Sequence, residues 1–444
     1  MPSKWNRKKL KYADRKRKHI MRIRQRENKR KRHIPNPTAD SLQSNRVFSF
    51  LCKRHFETDQ LHKINMFSRQ ACIIIPKSFS ISENPEETIH ILRKLFKYGT
   101  DLRINEIIID HSECINLEIA ASTIMDIIVL AIRNFRRNNM SDIVFSGQIP
   151  NDGKVKDIFM ASGLARHMKL EMESEVRFDR SKMELFDLAS GFYSSGKSDY
   201  TATKLSEYII KCMNTQGFTL NNQGRNALSV MFSEVLNNCE IHGGSDTIWY
   251  AQAHYQISQL SSDCGEIQMV IMNFGNTIFE QLNSPATTEE TKQKLNYLES
   301  RHRKYFGAKW NKEMLYTLFS LQEGISRLRD KNSTGNNKRG TGTIRLLENF
   351  RKIGGTHLNR KPLMTITSGN THIIFDSKYQ LKKEAFNDKI LGTNERKVIA
   401  FNQANDIFLP PDSDYVRKIN DFFPGTIISL DFFFDKQYLN TILN

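Results

Sequence analysis

The apolar and polar positions of this chain fall into two regimes. Between residues 72 and 170, short apolar runs alternate with stretches of helical period. Cys72 to Ile75 reads as a short buried strand, and 85–98 as a helix with Ile89, Leu92 and Leu95 on one face. Glu106 to Asp110 predicts a second strand, 117–137 a long amphipathic helix, and Ile143 to Ser146 a third strand. A helix near 155–162 stops at Gly163. Such alternation predicts an α/β unit. From about residue 200 the order changes. Helices at 202–216 and 222–241 precede strands at 247–255 and 266–273, and helices at 312–328 and 342–352 precede strand-like runs at 363–367, 371–377 and 426–434. Consecutive strands with helices grouped around them predict a two-layer α+β domain, with a hairpin turn at Ser368-Gly369 and an insertion over 381–421.

Charge changes this picture at one end. Residues 1–40 hold 16 Lys and Arg against 3 Asp and Glu, so +13 of the total +18 sits there and only +5 on the rest. The chain is thus a near-neutral body with a basic arm, taken as residues 1–45. Lys8, Lys9, Arg15, Lys16, Arg17, Lys18, Arg30, Lys31 and Arg32 are dense enough to neutralise several phosphates, which predicts salt-sensitive, largely sequence-independent nucleic-acid binding. Trp5 and Tyr12 can add stacking. A solvated tail, an anionic protein contact and a membrane surface are the other readings of such a run. No Gly or Pro interrupts residues 3–34, and Pro35 and Pro37 mark the boundary.

Composition excludes several classes. At 39% hydrophobic and 10% aromatic the chain is not disordered as a whole. No apolar run reaches the roughly 18 residues of a membrane span, the best stretch (Ile124 to Ile132) being interrupted by Asp126. No apolar region follows the basic start, so it does not read as a signal peptide. The six cysteines (52, 72, 114, 212, 239 and 264) lie far apart with no Cys-x-x-Cys pair, which predicts a reducing, cytoplasmic setting.

Three stretches can carry chemistry. Glu234, Asn238 and His242 recur every four residues, so a helix presents them along one face. A carboxylate one turn from an amide suits metal-assisted phosphate chemistry, because the amide oxygen can ligate Mg²⁺ and the carboxylate can position or deprotonate a water. The bland reading is a solvated polar face. Next, Asn273-Phe-Gly275 ends a strand in a glycine turn, and Arg339-Gly340-Thr341-Gly342 opens a helix with free backbone N–H groups. Pro424-Gly425-Thr426 starts the last strand. A rival motif is Gly191-Phe-Tyr-Ser-Ser-Gly196-Lys197-Ser198, which fits a phosphate-binding Gly-x4-Gly-Lys-Ser loop. Such a loop must join a buried strand to a helix. The preceding Met183 to Ala189 is a poor strand pattern, so this stretch reads as a polar connector.

The order of these motifs resembles the GHKL superfamily, the ATP-binding fold of histidine kinases, DNA gyrase, mismatch-repair ATPases, heat-shock chaperones and anti-sigma-factor serine kinases. Glu234-x3-Asn238-x3-His242 matches its N-box in the anti-sigma-like form, with Gly243 following. Asn273-x-Gly275 stands for its Asp-x-Gly-x-Gly, with Asn for the Asp and Thr277 for the second Gly. Arg339-Gly-Thr-Gly342 matches the second glycine box, and Thr426 belongs to the final Gly-Thr box. The resemblance covers about 200–444. It implies a GHKL (Bergerat) two-layer sandwich over 181–444 with an ATP lid over 283–339, and ATP and Mg²⁺ as cofactors. It also implies that Asn238 ligates the metal, Glu234 activates water, and His242, Gly275, Arg339, Gly340, Thr341 and Gly342 contribute to the nucleotide site. Asn273 and Thr426 would face the adenine. Residues 46–180 resemble a STAS-type domain whose phosphorylatable Ser would fall at Asn116-Leu117-Glu118, where no hydroxyl is present. That implies a protein-interaction or packing module without a phosphoswitch. Together these resemblances imply a cytoplasmic ATP-dependent switch of a partner contact, and the charge of the arm alone points to nucleic acid as that partner, as in a prokaryotic regulator or a genome-defence protein. The alternatives are an anti-sigma-type serine kinase and a degenerate scaffold that binds no nucleotide.

Overall fold

Every residue of strand β8 (Cys264–Phe274), and all but the last of β7 (Ile248–Ile257), is buried. A strand exposed on one face alternates between buried and exposed positions, so these two must be covered on both faces. In the computed structural model, which describes residues 39–53, 69–162, 183–257, 264–323, 342–353, 361–385, 388, 390–391 and 395–435, they form the centre of a five-stranded sheet. Its order is β6 (Met183–Phe192), β7, β8, β12 (Val416–Asp435), β9 (Leu363–Phe375), with every neighbouring pair antiparallel. Helices α5 (Lys197–Thr215), α6 (Asn222–His242) and α10 (Gly342–Ile353) cover one face. There Trp249, Ala251, Ala253 and Tyr255 of β7 and Ile267, Met269 and Ile271 of β8 meet Leu205, Phe232, Leu236 and Leu346.

The other face is covered by the N-terminal unit. This unit comprises α1 (Ala39–Lys53), β1 (Gln70–Ile74), β2 (Ser78–Phe79), α2 (Pro85–Thr100), β3 (Glu106–Asp110), β4 (Asn116–Leu117), α3 (Ile119–Asn138), β5 (Val144–Gln148) and α4 (Gly153–Ser162). Its main sheet is parallel, in the order β1-β3-β5. The apolar core of this unit is continuous with Ile248, Tyr250, Val270, Met272, Phe274 and Ile427 of the large sheet. The chain is therefore a mixed α+β protein. The sheet that the pattern made the second layer of two has a third layer against it.

Buried polar groups also meet across that shared face. Glu118, at the start of α3, accepts from Ser80 Oγ (2.8 Å), Ser82 Oγ (2.7 Å) and the Ser82 N–H (2.9 Å), and also from Ser429 Oγ on β12. One turn on, Thr123 Oγ1 donates to Gln252 Oε1 at 2.6 Å, and the Ile119 N–H donates to Gln268 Oε1 at 3.0 Å. Asp126, which interrupts the apolar run, lies one turn beyond Thr123 on the same helix face and is 2% exposed. Arg93 pairs with Asp421, and Lys154 with Glu266 at 2.8 Å, at the edges of the contact. Buried groups this dense in polar atoms have to be matched pair by pair.

Three elements differ from the reading of the pattern. Ser368-Gly369 is not a hairpin turn. β9 runs unbroken through it, Gly369 takes φ +60°, and β12 absorbs the irregularity as register shifts between Lys418 and Thr426. A glycine in the left-handed region lets a strand carry a bulge without turning back. After helix α8 (Glu289–His302), the helix expected over 312–328 is α9 (Lys312–Phe319), and the turn that follows it is held by Gln322. That amide donates to Leu318 O and Ile399 O, both at 3.0 Å, and accepts from the Ile399 N–H. Finally, the stretch from Met183 that made a poor strand pattern is the edge strand β6, which runs on to Phe192. Its half-buried side chains explain the weak pattern. Between Phe375 and Val416 the chain leaves the sheet and forms the hairpin β10 (Lys382–Ala385) and β11 (Glu395–Val398).

Candidate functional site at the end of helix α6

Asn221 starts α6, its side chain accepting from the Gly224 N–H, and the helix runs 21 residues to His242 before Gly243 ends it. Glu234 lies half-buried on α6, and Asn238 is exposed one turn later. The neighbouring Asn237 is engaged instead with the start of α5. It accepts from Ser198 Oγ at 2.6 Å and donates to Asp199 Oδ1 at 3.2 Å, which leaves Asn238 as the accessible amide of the pair.

The end of α6 meets the end of β8, which is paired there with the middle of β12 and, through it, with the middle of β9. Asn273 on β8 is paired directly with Thr426 on β12, and Thr426 with Ser368 on β9. Asn273, only 2% exposed, accepts the Thr426 N–H on its Oδ1 at 2.9 Å. Ser368 Oγ lies 3.0 Å from Thr426 Oγ1 and accepts the Ile278 N–H, the first of helix α7 (Ile278–Leu282), at 2.9 Å. Gly243 O accepts the Asn276 N–H at 2.8 Å, which ties the turn after Gly275 to the helix end. Backbone approach is so close that a Cβ on Gly243 would lie 2.0 Å from Thr247 Oγ1 and 2.5 Å from Asn273 Nδ2. One on Gly275 would lie 2.7 Å from Gly243 O. Asn273, Gly275 and Thr426 thus come together with Gly243, roughly 8 Å along the helix axis from Asn238. Gly342 opens α10, which packs on α6. Arg339, Gly340 and Thr341 lie outside the described residues, as do 324–339 of the expected lid, the side chain of His242, and the nine named basic-arm residues from Lys8 to Arg32.

Three residues of this site escaped the sequence. The Thr247 hydroxyl is fully buried beside Gly243 and Gly275, with no hydrogen-bond partner among the described residues. Ser368 was visible only as a turn former. Glu313 on α9 accepts the Asn370 N–H at 2.7 Å, and burial pushes its carboxyl up, with Glu280 adding to the effect and the Asn370 bond opposing it. Thr277, where the resemblance expects a glycine, starts α7 with a capping box, its hydroxyl accepting from Glu280 N–H while Glu280 accepts from Thr277 N–H.

The rival loop has the strand–turn–helix context it was thought to lack, since Gly191 and Phe192 end β6 and α5 begins at Lys197. Its donors are nevertheless spent. The Gly196 N–H donates to Glu240 Oε1 at 2.8 Å, and the Ser198 N–H, Ser195 Oγ and Trp249 Nε1 donate to Glu240 Oε2 at 3.1–3.2 Å. A carboxylate from α6 occupies the anion-binding position of the loop.

Fold and site together define a mixed α+β protein in which a helix end meets the end of one strand and the bulged middle of its neighbour. No protein-family model matches the chain, and neither a curated protein nor a solved structure matches it. Among the described residues, no helix is long and apolar enough to cross a membrane, and no group of three His, Cys, Asp or Glu side chains forms a metal site.

Proposed function

We propose that this chain is an ATP-binding regulatory protein of the GHKL kind, whose nucleotide state switches a partner contact and whose residues 1–40 hold nucleic acid. The observation that carries the reading is the convergence of Gly243, Asn273, Gly275 and Thr426, from three distant stretches of sequence, at the end of the helix bearing Glu234 and Asn238. The side chains fit the group in kind. Asn238 offers an accessible amide oxygen, the hard donor Mg²⁺ takes, and the orphaned Thr247 hydroxyl stands beside Asn273 where the resemblance puts the base. Bound ATP would supply a phosphoanhydride for slow cleavage. Asn238 would hold its Mg²⁺, and Glu234 would orient or deprotonate a water. The N-terminal unit, in this reading a STAS-like module, sets its helices α2 and α3 against the sheet, so a protein partner would meet its other surfaces.

A nucleotide-free scaffold is the second reading. It is favoured by Asn273, whose acceptor oxygen is already engaged by the Thr426 N–H. Thermal unfolding with and without Mg²⁺-ATP separates the two. ATP at 100-fold over its Kd adds about 2.7 kcal/mol, or about 3 °C for a chain of this size. Asn238→Ala is expected to abolish that shift, and Glu234→Ala to keep it while losing phosphate release. No shift in the native chain supports the scaffold, and labelled γ-phosphate transferred to a protein serine identifies the kinase.

A further inference from the structure

Among the described residues only three aromatic side chains are classed as exposed, and all three fall between positions 192 and 200. They are Phe192 (38%), Tyr193 (42%) and Tyr200 (67%). Rings of this size usually bury most of their surface, so three within nine residues, from the end of β6 to the first turn of α5, need an explanation. The loop is held firmly. Glu240 gathers Ser195, Gly196 and Ser198, and the Tyr193 N–H donates to Thr247 O at 3.2 Å, so Tyr193 and Tyr200 flank a fixed turn. Cations stand beside the rings. Arg46 lies 5.3 Å over Phe192, Lys204, paired with Glu207 at 2.9 Å, lies 5.9 Å from the Tyr200 ring, and Lys197 is exposed between them beside Asp199.

Arg46 belongs to α1, seven residues after Ala39, where the basic arm joins the body. Seven residues of helix are roughly 10 Å. The point where the +13 arm joins the body therefore lies near exposed rings some 150 residues away in sequence. The arm itself is a poor cover for that cluster, since like charge would face like charge. A polyanion with unpaired bases satisfies both halves at once, its phosphates meeting the arm and its bases stacking on the rings.

We propose that Phe192, Tyr193 and Tyr200 form a stacking platform for single-stranded nucleic acid delivered by the basic arm. The proposal rests on the nucleic-acid reading of the arm and adds the second contact and the strandedness of the partner. The platform adjoins α6 through Glu240, so an occupied platform borders the candidate nucleotide site.

Fluorescence anisotropy of a labelled oligo(dT) strand of about 20 nucleotides, and of a duplex of equal length, tests it with the full chain. Tyr193→Ala/Tyr200→Ala is expected to weaken single-strand binding at least about tenfold and to leave duplex binding unchanged, because paired bases offer no free faces. Tyr193→Phe/Tyr200→Phe, which keeps both rings, is expected to restore it. Equal single-strand affinity for the alanine variant and the native chain overturns the platform, as does an equal loss on both probes. If the native chain binds neither probe at low salt, the reading of the arm fails as well. A co-purifying protein lost from the alanine variant, with oligo(dT) binding intact, also overturns the proposal and marks the patch as a protein contact.

Discussion

Glu240 provides the sharpest test of how this molecule is held together. It is 3% exposed and accepts from four donors, two of them in buried residues: Trp249 Nε1, on a fully buried ring, and the Ser198 N–H. In Glu240→Ala, Ser195 and Gly196 can turn to water, but the two buried donors are left unsatisfied at about 1–3 kcal/mol each. The expected loss is about 2–6 kcal/mol, a large part of the 5–15 kcal/mol typical of a folded protein. Glu240→Gln keeps one oxygen but turns an NH₂ toward a donor, and should cost about 1–2 kcal/mol. Urea unfolding followed by tryptophan fluorescence measures both, because Trp249 is one of only three tryptophans and its indole is bonded to this carboxylate. A Glu240→Ala variant within about 0.5 kcal/mol of the native chain would refute the claim that this carboxylate fills the loop as its anion.

Acid should unfold the protein through its buried histidines. Burial pushes His254 down to about 4, with Glu266 opposing and Lys154 assisting; His372 goes down to about 3, assisted by Arg417; and His111 goes to about 4 despite Asp110 beside it. Above about pH 6.5 both states are neutral at these sites. As pH falls toward 4 the unfolded chain takes up three protons that the folded chain refuses, so stability drops by up to about 4 kcal/mol per pH unit. His254→Gln should remove about a third of that slope, and a melting temperature that stays flat from pH 7 to 5 would contradict it. Glycine geometry makes the last prediction. A Cβ on Gly425 (φ +151°) would lie 1.9 Å from Asn273 O, so Gly425→Ala should cost about 3 kcal/mol or more and open the β8–β12 pairing. Gly196 has φ +67° with open space around it, so Gly196→Ala should cost only about 1 kcal/mol; equal losses for the two would show that strain alone decides.

What was legible in the sequence follows from how each feature is encoded. α3 and α6 are long and periodic, and β3 is a run of isoleucines between polar ends, so their positions could be read directly. β6 could not, because an edge strand with half-buried side chains carries little period. Asp126 was read only as a break in an apolar run, whereas it lies on the face of α3 that meets the sheet. Nothing local says that a second unit will cover that sheet. Glu240 falls between Asn238 and His242 and drew no notice, because three of its four donors come from a loop some 40 residues earlier. Long-range pairings of this sort are set by the fold and not by neighbouring residues.

The polar matching between α3 and the large sheet also bears on how the chain is made. Glu118 and its partner Ser429 are 311 residues apart, so at typical rates of about 5–20 residues per second roughly 15–60 s of synthesis separate them. During that interval the face of the N-terminal unit that will meet the sheet stands in water. With Ser80, Ser82, Glu118, Thr123 and Asp126 on it, that face can be hydrated while it waits. An apolar face of the same size would invite association between nascent chains. The same residues then become selective, since only a sheet presenting Gln252, Gln268 and Ser429 in register can replace the water they lose.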